Sequence, residues 1–165
     1  MENVPGIDRI DQFVARFKDR KADWDVLSFQ AKVDPKFRRA QMRYVGGGGT
    51  GAHDDPNIIK AGNFTLSTMI LPSGNEGPLH LHTDVEEIFF VLEGSLTCIW
   101  SDGKSEIERV IGPRDMIWIP PGIWRGVRND GSSDAVFLTL LGAQKPRLPD
   151  YPEGSPLAEA RERRQ

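Results

Sequence analysis

Apolar and polar positions along the chain change rhythm near residue 63. Upstream, Ile7, Ile10, Phe13, Val14 and Phe17 recur at spacings of three and four with charges between them. That period predicts an amphipathic helix over the first residues, about twenty in all, whose apolar stripe docks on the rest of the domain or on a second copy. A mixed segment follows, in which Phe37 to Val45 has the texture of a strand. Gly46 to Gly51 then reads as a flexible loop. It lacks the Lys-Ser/Thr and the immediate helix of a phosphate-cradling loop, because the chain runs on into Ala52-His53-Asp54-Asp55-Pro56.

From Asn63 the chain becomes a series of short β runs punctuated by turns. Phe64 to Leu71 is apolar and β-branched and ends at Pro72-Ser73-Gly74-Asn75. Glu87 to Leu92 and Ser95 to Trp100 flank Glu93-Gly94, and Ser101-Asp102-Gly103-Lys104 carries the Asp-Gly signal of a hairpin. Ile107 to Ile111, Met116 to Ile119 and Val136 to Leu141 continue the rhythm. Many short strands without alternating helices predict an all-β sandwich or barrel. Beyond Gly142 the chain is Pro-rich, and Ser155-Pro156 has the chemistry of a cap for a short final helix.

Composition narrows the function classes. The 165 residues suit one domain with a real core, and 21 Lys plus Arg against 24 Asp plus Glu leave a net charge of −3. That balance offers no footprint for nucleic acid. Arg161 to Arg164 form a basic cluster, read as a solvated helix end. The single cysteine, Cys98, excludes an internal disulfide and a multi-Cys zinc site; its apolar surroundings predict a buried, inert thiol. No secretory pattern is visible and no run reaches the roughly 18 apolar residues of a membrane span, so the expectation is a cytoplasmic protein without membrane association.

The candidate chemistry lies in the β region. His80 and His82 stand two apart in an extended stretch, and residues i and i+2 of a strand share a face, so both imidazoles can converge. Glu87 opens the next strand, within reach of the same point. If that strand is regular, Glu87, Phe89 and Val91 share the interior face. Two neutral imidazoles and one carboxylate make the facial triad of non-haem iron sites, which leaves positions open for substrate and dioxygen. His53 could join only if its loop folds over the strands. Trp118 and Trp124 are candidates for a pocket mouth or for plain core. No Gly-x-Ser-x-Gly elbow and no Cys–His pair supports nucleophilic hydrolysis.

Two blocks of spacing resemble a known family. Gly74, five residues, His80-x-His82, four residues, Glu87, six residues and Gly94 are similar to the first cupin motif. Asp115, four residues, Pro120-x-Gly122, two residues, Arg125, three residues and Asn129 are similar to the second. The resemblance covers roughly residues 63 to 142 and implies a cupin double-stranded β-helix, a jelly-roll-like barrel. Residues 1–62 would then be a helix-and-strand extension packed on the barrel, and residues 143–165 a tail. It also implies one divalent metal inside the barrel on His80, His82 and Glu87, iron first, with manganese, nickel or zinc as alternatives. Glu86 is the rival carboxylate, but the six residues to Gly94 favour Glu87.

The departure from the family pattern is Arg125, which stands where a fourth ligand, a histidine, is usual. A guanidinium keeps its proton and has no lone pair to give. Either Arg125 serves the reaction by gripping an anionic substrate group beside a three-ligand metal, or it pairs with Glu87 and its charge replaces the metal. The resulting expectation is a metal-dependent cupin enzyme, a non-haem iron dioxygenase acting on a small organic or aromatic acid. A non-catalytic, metal-free ligand-binding barrel is the alternative, and an isomerase, lyase or decarboxylase a further one. Edge strands and the apolar N-terminal stripe predict a homodimer.

Overall fold

The computed structural model describes residues 7–60 and 62–163. Among these residues nine strands form two antiparallel sheets. They are β1 Ala40–Val45, β2 Thr65–Leu71, β3 Glu76–Leu81, β4 Glu87–Glu93, β5 Leu96–Ser101, β6 Glu106–Ile111, β7 Met116–Ile119, β8 Trp124–Arg128 and β9 Ala135–Leu141. One sheet runs β1-β2-β9-β4-β7 and the other β3-β8-β5-β6. Two short helices, α1 Ser28–Val33 and α2 Pro156–Glu162, pack on each other outside the sheets. The all-β, jelly-roll-like expectation therefore holds.

Alternation along each strand sorts side chains between core and surface. In β4, Glu87, Phe89 and Val91 are buried while Ile88 and Phe90 face outward and are only half-buried. Leu71, Val91, Leu96, Ile119 and Phe137 fill the space between the sheets. Each such side chain contributes roughly 1.5–3 kcal/mol by leaving water. Cys98 lies in the same core, where burial raises its thiol pKa to about 11, so it is an inert thiol as expected.

Several residues of the two sequence blocks hold the strand connections. Gly94 has φ 72°, and a Cβ there would stand 2.8 Å from the Asp134 carbonyl oxygen. Only glycine makes that turn without strain. Asn129 is fully buried; its amide donates to the Leu71 and Ser133 carbonyls and its Oδ1 accepts from Gly131 N–H. Asp115 accepts from Gly112 N–H and closes the turn before β7.

The N-terminal stripe departs from expectation. Ile7–Phe13 and Phe17–Asp19 form 3₁₀ turns, and Ile10, Phe13 and Phe17 are exposed rather than docked on the barrel. A 3₁₀ turn holds about three residues, so positions spaced by four drift off one face. The part of this helix expected over residues 1–6 lies outside the described residues, as does Arg164. The rest of the N-terminal segment is tied in. β1 pairs with β2 through its length, and Arg43 on β1 holds Asp23 at 2.8 Å and Asp55 at 2.9 Å. Burial alone would raise the Asp23 carboxyl, but hydrogen bonds from Arg43 and the Val26 and Asp25 amides outweigh it and lower its pKa. The C-terminal segment crosses β3, where Leu81 and Asp150 exchange two backbone hydrogen bonds of 2.9 Å. Ser155 caps α2 as expected, accepting from Ala158 N–H.

Candidate metal centre in the barrel cavity

A cavity of about 100 Å³ opens between the sheets, and His80, His82 and Glu87 sit on its wall. His80 belongs to β3 and His82 follows that strand directly, past a register irregularity between Gly77 and His80. Their rings stand perpendicular with centroids 5.3 Å apart. Glu87 arrives from the facing sheet as the first inward residue of β4. One ligand atom from each of the three lies within 4.8 Å of the other two, near enough for a single ion to draw them together.

Hydrogen bonding prepares these groups. His80 Nδ1 lies 2.8 Å from the Pro78 carbonyl oxygen. A carbonyl can only accept, so Nδ1 carries a proton, which directs the lone pair of the neutral ring to Nε2, the tautomer a metal ligand needs. Burial pulls the His82 pKa down to about 4, with Glu87 opposing, so this imidazole is neutral at pH 7. Burial would also raise the Glu87 pKa, but His80, His82 and Arg125 outweigh it and hold the carboxyl below its usual range. His82 Nδ1 and Glu87 Oε2 are buried without a hydrogen-bond partner among the described residues. Two imidazoles and an ionised carboxylate with unspent acceptor capacity fit a divalent cation.

Arg125 is fully buried on β8, opposite His80 in the strand register. Its Nε lies 3.3 Å from Glu87 Oε2, off hydrogen-bond geometry, and none of its three nitrogens has a hydrogen-bond partner among the described residues. It is not among the side chains lining the cavity. Of the two roles set out for it, the contact with Glu87 belongs to the second, and Arg125 is absent from the side chains that line the cavity.

The remaining candidates separate cleanly. Glu86 points outward and accepts a hydrogen bond of 2.8 Å from the Trp118 indole, which is itself half-exposed. Trp124 pairs with Leu81 and Ser101 away from the cavity lining. His53 lies against Gly47 and outside the metal-ligating group. The glycine loop, by contrast, takes part in the cavity: Gly48, Gly49 and Thr50 line it, and a Cβ on Gly49 would stand 3.1 Å from His82 Cε1. The bare backbone lets the loop close over the imidazole.

Both flanking segments also contribute walls, which sequence reasoning did not anticipate. Leu27, Phe29, Gln30 and Arg39 come from the N-terminal side, and Leu148, Tyr151 and Arg161 from the C-terminal side. No local signal marks them, because each becomes interior only through the β1–β2 pairing and the α1–α2 contact.

Among the described residues no helix is long and apolar enough to cross a membrane. Residues 67–141 match the family model of the cupin domain. In sequence, an uncharacterized protein of Methanocaldococcus jannaschii is 34% identical over 77 residues, 47% of this chain and 58% of that one. The chain thus spans little more than half the length of that relative. In structure, a DMSP lyase from Ruegeria pomeroyi is 25% identical at a TM-score of 0.56, over 72% of this chain and 54% of the other. The polyketide cyclase RemF from Streptomyces resistomycificus shares the fold at 18% identity and a TM-score of 0.63, over 91% and 92% of the two chains. With both motif blocks in place and the barrel around them, residues 67–141 form a cupin domain.

Proposed function

We propose that the protein is a metal-dependent cupin enzyme, a non-haem iron dioxygenase acting on a small organic or aromatic acid. The observation that carries this reading is the convergence of His80, His82 and Glu87 on the wall of a small cavity whose other sides are largely apolar. Iron held by these three would supply open coordination positions and the redox chemistry that dioxygen requires. The chain's own contribution is arrangement. Pro78 fixes the His80 tautomer, Arg125 restrains Glu87, and Phe89, Phe137 and Met69 exclude water from the bound substrate. The test is oxygen uptake with a panel of small aromatic acids after anaerobic iron loading. Uptake that requires both iron and an acid supports the reading. Iron binding without uptake shifts it to a lyase, isomerase or decarboxylase on the same site, in keeping with the likeness to a DMSP lyase.

A second reading, a metal-free barrel that binds a small ligand, is favoured by the Arg125–Glu87 contact, in which the guanidinium takes the place of the ion. Absence of metal after loading would select it.

We extend the proposal to a cytoplasmic homodimer. Ile107 and Val110 on edge strand β6, Met116 and Trp118 on edge strand β7, and Phe13 and Phe17 are all exposed. Apolar side chains on open edges are covered by partners in stable proteins. Light scattering at micromolar concentration is expected to give twice the chain mass, and a monomer mass would remove the dimer.

A further inference from the structure

Three formally charged side chains line the cavity besides its histidines: Glu87, Arg161 and Arg39. Glu87 has Arg125 as its counter-charge at 3.3 Å. Arg161 is paired with Asp150 at 3.1 Å and also donates to the Leu148 carbonyl. Arg39 differs from both. It is only 9% exposed, yet among the described residues no carboxylate stands within ion-pair distance of it. Both of its hydrogen bonds leave from Nη1, to Gln30 Oε1 at 2.6 Å and to the Phe37 carbonyl at 3.1 Å. These acceptors are neutral. Gln30 is itself held by donating to the Tyr151 hydroxyl, so the guanidinium is fixed in orientation before anything binds.

A buried cation without a counter-anion is costly, and the cost falls when an anion enters the same low-dielectric space. Burial pulls the Arg39 pKa down to about 10, with Tyr151 and Glu87 opposing, which still leaves it charged at neutral pH. A metal at the histidine end would add positive charge to the same cavity, so both arrangements call for an anionic occupant. The remaining wall, including Leu27, Met69, Phe89 and Phe137, is apolar and suits a hydrocarbon body.

We propose that Arg39 is the acid-recognition residue of this cavity, binding the carboxylate of a small organic acid whose apolar body lies along the wall toward His80 and His82. The proposal deepens the functional reading above by assigning the anion site to Arg39, and it does not require that a metal be bound.

The test is calorimetric titration of the metal-free 165-residue chain with benzoate and propionate, each beside its neutral isostere, benzamide and propionamide. Expected is a preference of at least tenfold for each acid over its amide in the wild type. Arg39→Met should abolish that preference while leaving amide affinity within twofold, and Arg39→Lys should retain part of it. Equal affinity for acid and amide in the wild type overturns the proposal without reference to any variant, as does failure of both acids to bind. An undiminished preference in folded Arg39→Met overturns it too. Because the titration uses metal-free protein, it stands apart from the metal reading. A protein that takes up no metal but shows an Arg39-dependent acid preference would sink the enzymatic proposal and keep this one.

Discussion

Arg125→His is expected to raise the affinity for a divalent metal by about tenfold or more. The wild-type guanidinium is fully buried with its Nε 3.3 Å from Glu87 Oε2, an oxygen that an incoming ion must share. Like charges a few ångströms apart at an effective dielectric near 20 repel by several kcal/mol, whereas tenfold corresponds to about 1.4 kcal/mol, so the figure is conservative. Histidine removes the cation and adds a lone pair in the position of the usual fourth ligand. Arg125→Met separates these effects, since it relieves the repulsion without offering a ligand. In metal-free protein that variant leaves Glu87 buried beside a lost partner, and stability should fall by about 3 kcal/mol, to be regained when metal is added. Chelator competition gives the affinities and denaturant unfolding the stabilities. Unchanged metal affinity in both variants would show that Arg125 does not restrain the site.

How far the sequence reached can be judged from particular residues. His80 and His82 were legible because a two-residue spacing in an extended stretch puts them on one face, and Glu87 because β4 alternates regularly from its first residue. Arg125 was legible as a departure from a spaced pattern, and its pairing with Glu87 was one of two outcomes that charge alone allowed. Arg39 was not legible. It stands in Phe37 to Val45, which reads only as a strand, and only the fold distinguishes it from Arg38, which lies over the Trp24 ring with its guanidinium carbon 4.5 Å from the centroid. Strand β8 escaped notice because Trp124-Arg125-Gly126-Val127-Arg128 mixes glycine and charge, although packing inside a sheet overrides such local preference. Helix α1, at six residues, is shorter than the window over which a helical period can be recognised. The N-terminal stripe has a clear period, yet it forms 3₁₀ turns that leave Ile10, Phe13 and Phe17 off the barrel, because period alone does not supply a surface within the chain to bury them.

The second large effect concerns the ligands themselves. His82 is buried and neutral, and it presents one of the two imidazoles on which a three-ligand site depends. Removing it leaves His80 and Glu87, too few to hold an ion against its hydration. His82→Ala is therefore expected to cut metal affinity by at least about a hundredfold, more than the tenfold to hundredfold typical of outer-shell changes. Glu87→Gln, which keeps the shape of the side chain, should lose metal to a similar degree, so that a folding defect in either variant alone does not decide the matter.

The most direct measurement is elemental analysis of untagged wild-type protein after loading with iron, manganese, nickel and zinc in turn, with His82→Ala carried alongside. A metal centre on His80, His82 and Glu87 predicts about one divalent ion per chain in the wild type and little or none in the variant. A wild type that retains no metal under any of these loadings, or a variant that retains as much as the wild type, would contradict it.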